Sequence, residues 1–237
     1  LVGALVLVGD FERACALGLP LQLKDDSGLI AFYLSLGFAR AGQHEEAVKC
    51  LAVIENVLAR RQKRKRGHQA LGLLQFYHFQ ASGFLSFVQS DVQKAVAGAR
   101  AALVEAEAAR SPLQPLARIL CLDLLGHSLV RLGQTHAGVK ALRSAQLAAT
   151  RLRHEGFSHA IAISLLKYEA VFGLNSSRIV SRLSRALIEL KPNDSYSRSE
   201  LRLEISRQLI LRGQLQEARR HLDDAAIDIL GSHNQLQ

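Results

Sequence analysis

The chain has 237 residues, 49 % hydrophobic and 22 % charged, with a formal net charge of +9 at pH 7. This is the composition of a globular protein with a substantial core, and no apolar run approaches the roughly 18 residues a membrane helix needs. Cys15, Cys50 and Cys121 are odd in number, far apart and free of any C-x-x-C, which argues against a disulfide framework and for buried free thiols in a reducing compartment.

Residues 1–8 are apolar but carry no basic flank or small-residue cleavage pattern, so they read as helix and not as a signal peptide. With no initiator methionine, the chain is expected to be a piece of a longer, soluble, cytoplasmic protein. Helices are predicted at 10–18, 28–41, 44–65, 68–88, 91–109, 113–132, 135–154, 156–173, 175–190, 195–212 and 214–230. Pro20, Pro112 and Pro192 fall between these segments and Pro115 at the start of 113–132, where helices stop or start. Asp91 and Asn175 are placed as N-caps, as is the Asp25-Asp26 pair before Ser27 and Gly28. The fold class is all-α.

A six-residue pattern recurs along the chain: GDFERA at 9–14, GQHEEA at 42–47, SDVQKA at 90–95, GQTHAG at 133–138 and GQLQEA at 213–218. The first residue ends a helix, where glycine tolerates left-handed geometry. The last sits early in the next helix, where a small side chain lets two backbones approach. Such a motif describes a tight turn between antiparallel helices. Successive copies place Ala47 33 residues after Ala14, Ala95 another 48 on and Gly138 another 43, and Ala218 follows after 80, or two steps around a degenerate turn near 174–178.

Leu125, Gly126, Leu129, Gly133, Gly138, Leu142 and Ala145 follow in order the pattern of the tetratricopeptide repeat (TPR) family, which the chain resembles. The family's Trp, Tyr and closing Pro are mostly missing, and the steps exceed its period of about 34 residues. In that respect the chain is similar to the long-repeat helical arrays of large bacterial signal-transduction regulators. The resemblance implies a right-handed α-solenoid of antiparallel hairpins, 11 to 12 helices in a single domain over 1–237.

The resemblance also implies that the first helix of each hairpin lines a groove for a protein or peptide, or for other domains of the same protein. The positions so placed are Phe32, Leu36 and Arg40; Tyr77, Gln80, Phe84 and Phe87; Asp123, His127 and Arg131; Lys167; and Leu203 and Arg207. The four cations would suit an acidic segment, while the aromatic positions can equally fill the core between helices. The family's carboxylate-binding set of Lys, Asn and Arg is not recognisable.

Catalytic and nucleotide signatures are absent, so neither enzyme activity nor a cofactor is expected. His154-Glu155-Gly156-Phe157-Ser158-His159 has one residue too many for H-E-x-x-H, and a helix boundary at Gly156 would separate its imidazoles, so no metal site is expected. His44, His136 and His221 are expected to be exposed. Asp223-Asp224, beside Arg219-Arg220-His221, is explained by charge pairing within a helix. His127 and Asp123, four apart on one helix, are the only neighbours suggestive of chemistry.

One charge run stands out: Arg60, Arg61, Lys63, Arg64, Lys65 and Arg66, at the end of a helix. A helix C-terminus accounts for one or two of these charges. The rest form a solvated turn, a contact for an acidic protein, or a phosphate contact, which is the alternative reading of a nucleic-acid-binding module. No aromatic residues interleave the run, and no nucleic-acid motif accompanies it. The leading reading is a non-catalytic protein-interaction module of a larger bacterial regulatory or signalling protein.

Overall fold

A computed structural model of the chain describes residues 1–8, 11–22, 24–63, 68–109, 111–172, 178–190 and 195–234. Twelve helices and no strands occur among them. They are α1 (Val2–Val8), α2 (Phe11–Gln22), α3 (Leu29–Arg40), α4 (His44–Lys63), α5 (His68–Val88), α6 (Val92–Ala108), α7 (Gln114–Arg131), α8 (Thr135–Arg151), α9 (Glu155–Val171), α10 (Ile179–Glu189), α11 (Ser195–Leu211) and α12 (Leu215–Asn234). They form two compact units, Leu1–Arg153 and His154–Gln237. Asn175 and the start of the first six-residue pattern lie outside the described residues.

The turn motif sets the hairpin geometry. Gly42, Ser90, Gly133 and Gly213 all take positive φ, between 66° and 84°. In each case the next amide reaches back to the carbonyl five residues earlier: Gln43 to Phe38, Asp91 to Ser86, Gln134 to Leu129 and Gln214 to Leu209, at 2.8–3.0 Å. This is a Schellman closure, which satisfies the last helical carbonyls before the chain reverses. Asp91 then caps α6 by accepting from the Lys94 amide at 3.3 Å. The small residue ending each motif is buried: Ala14, Ala47 and Ala95 are fully enclosed, and Ala218 nearly so. At Gly138 the crossing is tightest, since a Cβ there would lie 2.6 Å from the Gly126 carbonyl oxygen.

One sequence expectation changes. Pro20 lies inside α2 and does not end it. Its missing N–H and ring clash fall in the last turn, where little helix remains to be disrupted. The boundary expected at Gly156 lies within one residue of it: α9 starts at Glu155 with His154 as N-cap, whose imidazole Nδ1 accepts from the Phe157 amide at 3.3 Å. His154 is thus occupied with capping. Of the acidic pair, Asp25 organises the connector, accepting from the amides of Ser27 and Ile30 at 2.8 Å each.

The core of the first unit centres on Phe32, Leu34, Ile54 and Leu74, and that of the second on Ile179, Leu183, Leu201, Ile205 and Leu209. Cys50 and Cys121 are buried free thiols, whereas Cys15 is half-buried. Burial pushes the Cys50 thiol up to about 11. No described helix is long and apolar enough to cross a membrane.

Candidate functional site

In the first unit the first helices of three hairpins, α3, α5 and α7, lie side by side with α5 in the middle. Residues Tyr77, Gln80, Phe84 and Phe87 recur at i, i+3, i+7 and i+10 along one face of α5. Its first half is buried between the neighbours. Tyr77 stacks on Phe32 of α3 with ring centroids 4.8 Å apart, and the Gln80 side-chain amide donates to the Leu120 carbonyl of α7 at 3.1 Å. Desolvation raises the Tyr77 phenol above its ordinary range.

The second half of the stripe reaches the surface and carries two cations. The Arg40 guanidinium, from the end of α3, sits 5.7 Å from the Phe84 ring centroid. Arg131, from the end of α7, sits 4.5 Å from that of Phe87 and donates to the Phe87 carbonyl at 2.8 Å. Each stacked pair contributes about 0.5–1 kcal/mol at such exposure and, more usefully, holds a long side chain in one place. His127 packs against Phe87 with centroids 6.2 Å apart and meets Asp123 at 3.5 Å. Arg40, Phe84, Phe87, Asp123, His127 and Arg131 therefore form one continuous patch.

At the other end of the same row is a shallow apolar notch, open to solvent. Its walls are Leu29 and Tyr33 of α3, with Leu113, Leu116 and Leu120 at and beyond the start of α7; Phe32, Phe76 and Tyr77 lie beneath. Sequence reasoning misses the α7 leucines. Their spacing of three and four is a visible signal, but it coincides with the helix's own core stripe.

Several predicted site residues fall elsewhere. Phe32, Tyr77 and Gln80 are only 1–3 % exposed, so they are core residues and not contact residues. Leu36 is buried as well. Lys167 is engaged by Glu200, and Arg207 by Glu204 on its own helix at 2.8 Å. Neither offers the uncompensated charge that the row of cations requires. His44 and His221 are half-buried, while His136 is exposed. Asp223 lies 4.0 Å from Arg219 within α12, as expected, but Asp224 pairs across to Arg202 of α11. In the basic run, Arg61 donates to the Asp26 carbonyl at 2.6 Å and Arg60 approaches the Asp26 carboxylate at 3.8 Å. These two cations thus close back on the connector before α3. Lys63 is exposed, and Arg64, Lys65 and Arg66 lie outside the described residues. No described cluster of three or more His, Cys, Asp or Glu side chains could hold a metal ion.

No family model matches the sequence, and no curated protein matches it. Among solved structures, a Podosopora anserina protein described as a kinesin light chain with nearly identical TPR-like repeats superposes with a TM-score of 0.54. The identity is 20 %, and the match covers 88 % of this chain and 98 % of that one. A single-substitution variant of the same protein gives 0.55 at 18 % identity, covering 89 % and 99 %. The fold is TPR-like. At this identity the likeness speaks for the fold alone. The α3–α5–α7 row is made of the first helices of such hairpins.

Proposed function

We propose that the chain is a non-catalytic protein-interaction module that receives an acidic peptide segment on the α3–α5–α7 row. The observation that carries this reading is the pair of arginines stacked on α5, Arg40 on Phe84 and Arg131 on Phe87. Guanidinium groups held on aromatic faces lose less entropy on meeting a carboxylate, and Arg131 gives only one of its five donors to the Phe87 carbonyl. The half-buried Phe84 and Phe87 add apolar area to the same patch. Asp123 beside His127 disfavours a second acidic group at that point, which would help fix register. The free, partly buried thiols suit the reducing environment of the cytoplasm, and a module of this kind would serve within a larger regulatory protein.

The test is fluorescence anisotropy with short peptides carrying two to four Glu or Asp residues and one Leu or Phe, beside Lys-substituted counterparts. Acidic peptides should bind, more weakly as salt rises. The double variant Arg40→Glu/Arg131→Glu should weaken them at least about tenfold, equivalent to about 1.4 kcal/mol. Equal affinity of wild type and double variant would sink the reading.

A further inference from the structure

His154 is the first residue of the second unit, and it caps α9 with an imidazole. Its Nδ1 lies 3.3 Å from the amide of Phe157, the third helical residue, whose N–H has no partner within the helix. An acceptor at Nδ1 requires the neutral ring with its proton on Nε2. The ring is also held by contact with Phe157, the two centroids 4.7 Å apart. That contact survives protonation, because a cation is attracted to an aromatic ring. The hydrogen bond does not. A proton on Nδ1 sets two N–H donors against each other and adds positive charge to the positive end of the helix dipole.

Arg151, Arg153 and Glu155 stand beside His154 in the chain, and His159 follows about a turn later. Two helices pack on α9: α10 ends at Glu189, and α11 carries Arg198 in its first turn, paired with Asp228 of α12. The described polar contact of His154 is with the Phe157 amide, and no described carboxylate lies within ion-pair distance of it. The cap on α6 differs in kind, since Asp91 accepts through a carboxylate.

We propose that protonation of His154 uncaps α9 and lengthens the connector between the two units. α8 ends at Arg151 and α9 starts at Glu155, so residues 152–154 alone join them when the cap is formed. Losing the first turn of α9 extends that connector to about six or seven residues. Histidine is the side chain whose charge ordinarily changes between about pH 5 and 8, so connector length would follow pH across that interval. The α3–α5–α7 row takes no part, so this inference stands or falls independently of peptide binding.

Long-range proton–nitrogen NMR spectra of the 237-residue chain test the proposal without any variant. At about pH 7.5 His154 should be the Nε2–H tautomer, and the Phe157 amide resonance should move with the His154 ring as pH falls to about 5. Over that interval the protection factors of the Ser158, His159 and Ala160 amides, measured against intrinsic exchange, should fall about three- to tenfold. Those in the first turn of α6 should hold, because the hydrogen bond from the Lys94 side chain keeps the Asp91 carboxyl below its ordinary range. His154→Asn keeps an acceptor at every pH and should abolish the change. His159→Gln should retain it, although His159 Nε2 is buried without a described partner and is the rival titrating group. An Nδ1–H tautomer at neutral pH overturns the proposal, as does acid sensitivity that persists in His154→Asn or disappears in His159→Gln.

Discussion

Ser90 stands where the other described hairpin turns of this type have glycine, with φ of 66°. A side chain in the left-handed region costs about 1–2 kcal/mol. Ser90→Gly removes that strain and restores some freedom to the unfolded chain, so the net gain expected is about 0.5–1 kcal/mol. Thermal unfolding should show a rise of a few degrees; an unchanged or lower midpoint would mean that Ser90 makes a compensating interaction in the turn. The serine is readable from sequence as a turn residue because the motif's other positions hold. The Asp91 cap is readable for the same reason, since a carboxylate just before a helix has amides to accept from. Burial of individual side chains is less legible. His44 and His221 sit in or near turns yet are half-covered, because a turn position does not specify which neighbouring helix leans over it.

Among elements, the hairpin crossings are the most constrained feature. A side chain at Gly138 would strike the Gly126 carbonyl and the Val130 side chain, both at 2.6 Å. Backbone cannot give way as a flexible side-chain tip can. Gly138→Val is therefore expected to cost about 1–3 kcal/mol or more by forcing α7 and α8 apart, measured as a drop in urea midpoint at constant slope. An unaltered midpoint would show that the crossing is looser than the contacts imply. The same motif foretold α7/α8 because glycine at both contacting positions is visible in the sequence. What the pattern could not supply was the fate of the first-helix stripe. Tyr77 and Phe87 occupy the same face of α5, but Tyr77 is roofed by Phe32 while Phe87 emerges beneath Arg131.

At the scale of the whole molecule, two units with separate cores imply two cooperative blocks in hydrogen exchange, meeting near Arg153 and His154. The second block carries an ionic network across α11 and α12, in which Arg202 meets Asp224 and, at 2.8 Å, Asp228, which Arg198 also approaches at 3.4 Å. Beside it, desolvation and then the Arg202 charge hold His221 below its usual imidazole value. A histidine with a depressed folded-state pKa binds more protons when unfolded, so its contribution is present above its unfolded value of about 6.5 and is lost as pH falls below that. Lowering pH from 7.5 to 5.5 should therefore lower the protection factors of the α11 and α12 amides, measured against the intrinsic exchange rate at each pH, and His221→Gln should reduce the difference. If the variant responds to acid as the unaltered chain does, His221 is not the group responsible.

By itself, the sequence determined the all-α class, the positions of the hairpin turns, nine of the twelve helices to within about three residues at each end, and the TPR-like architecture. Each of these rests on short-range physics: a left-handed turn residue, a cap, a small residue at a crossing, a 3.6-residue period. Tertiary structure alone decided which first-helix positions form a surface. Phe32, Tyr77 and Gln80 lost their place to burial, and Lys167 and Arg207 to their own carboxylate partners. Arg40, Phe84, Phe87, Asp123, His127 and Arg131 were brought together across three helices. Periodicity fixes the direction a side chain takes from its own helix; only the packed neighbours determine whether that direction meets solvent, a carboxylate or another ring.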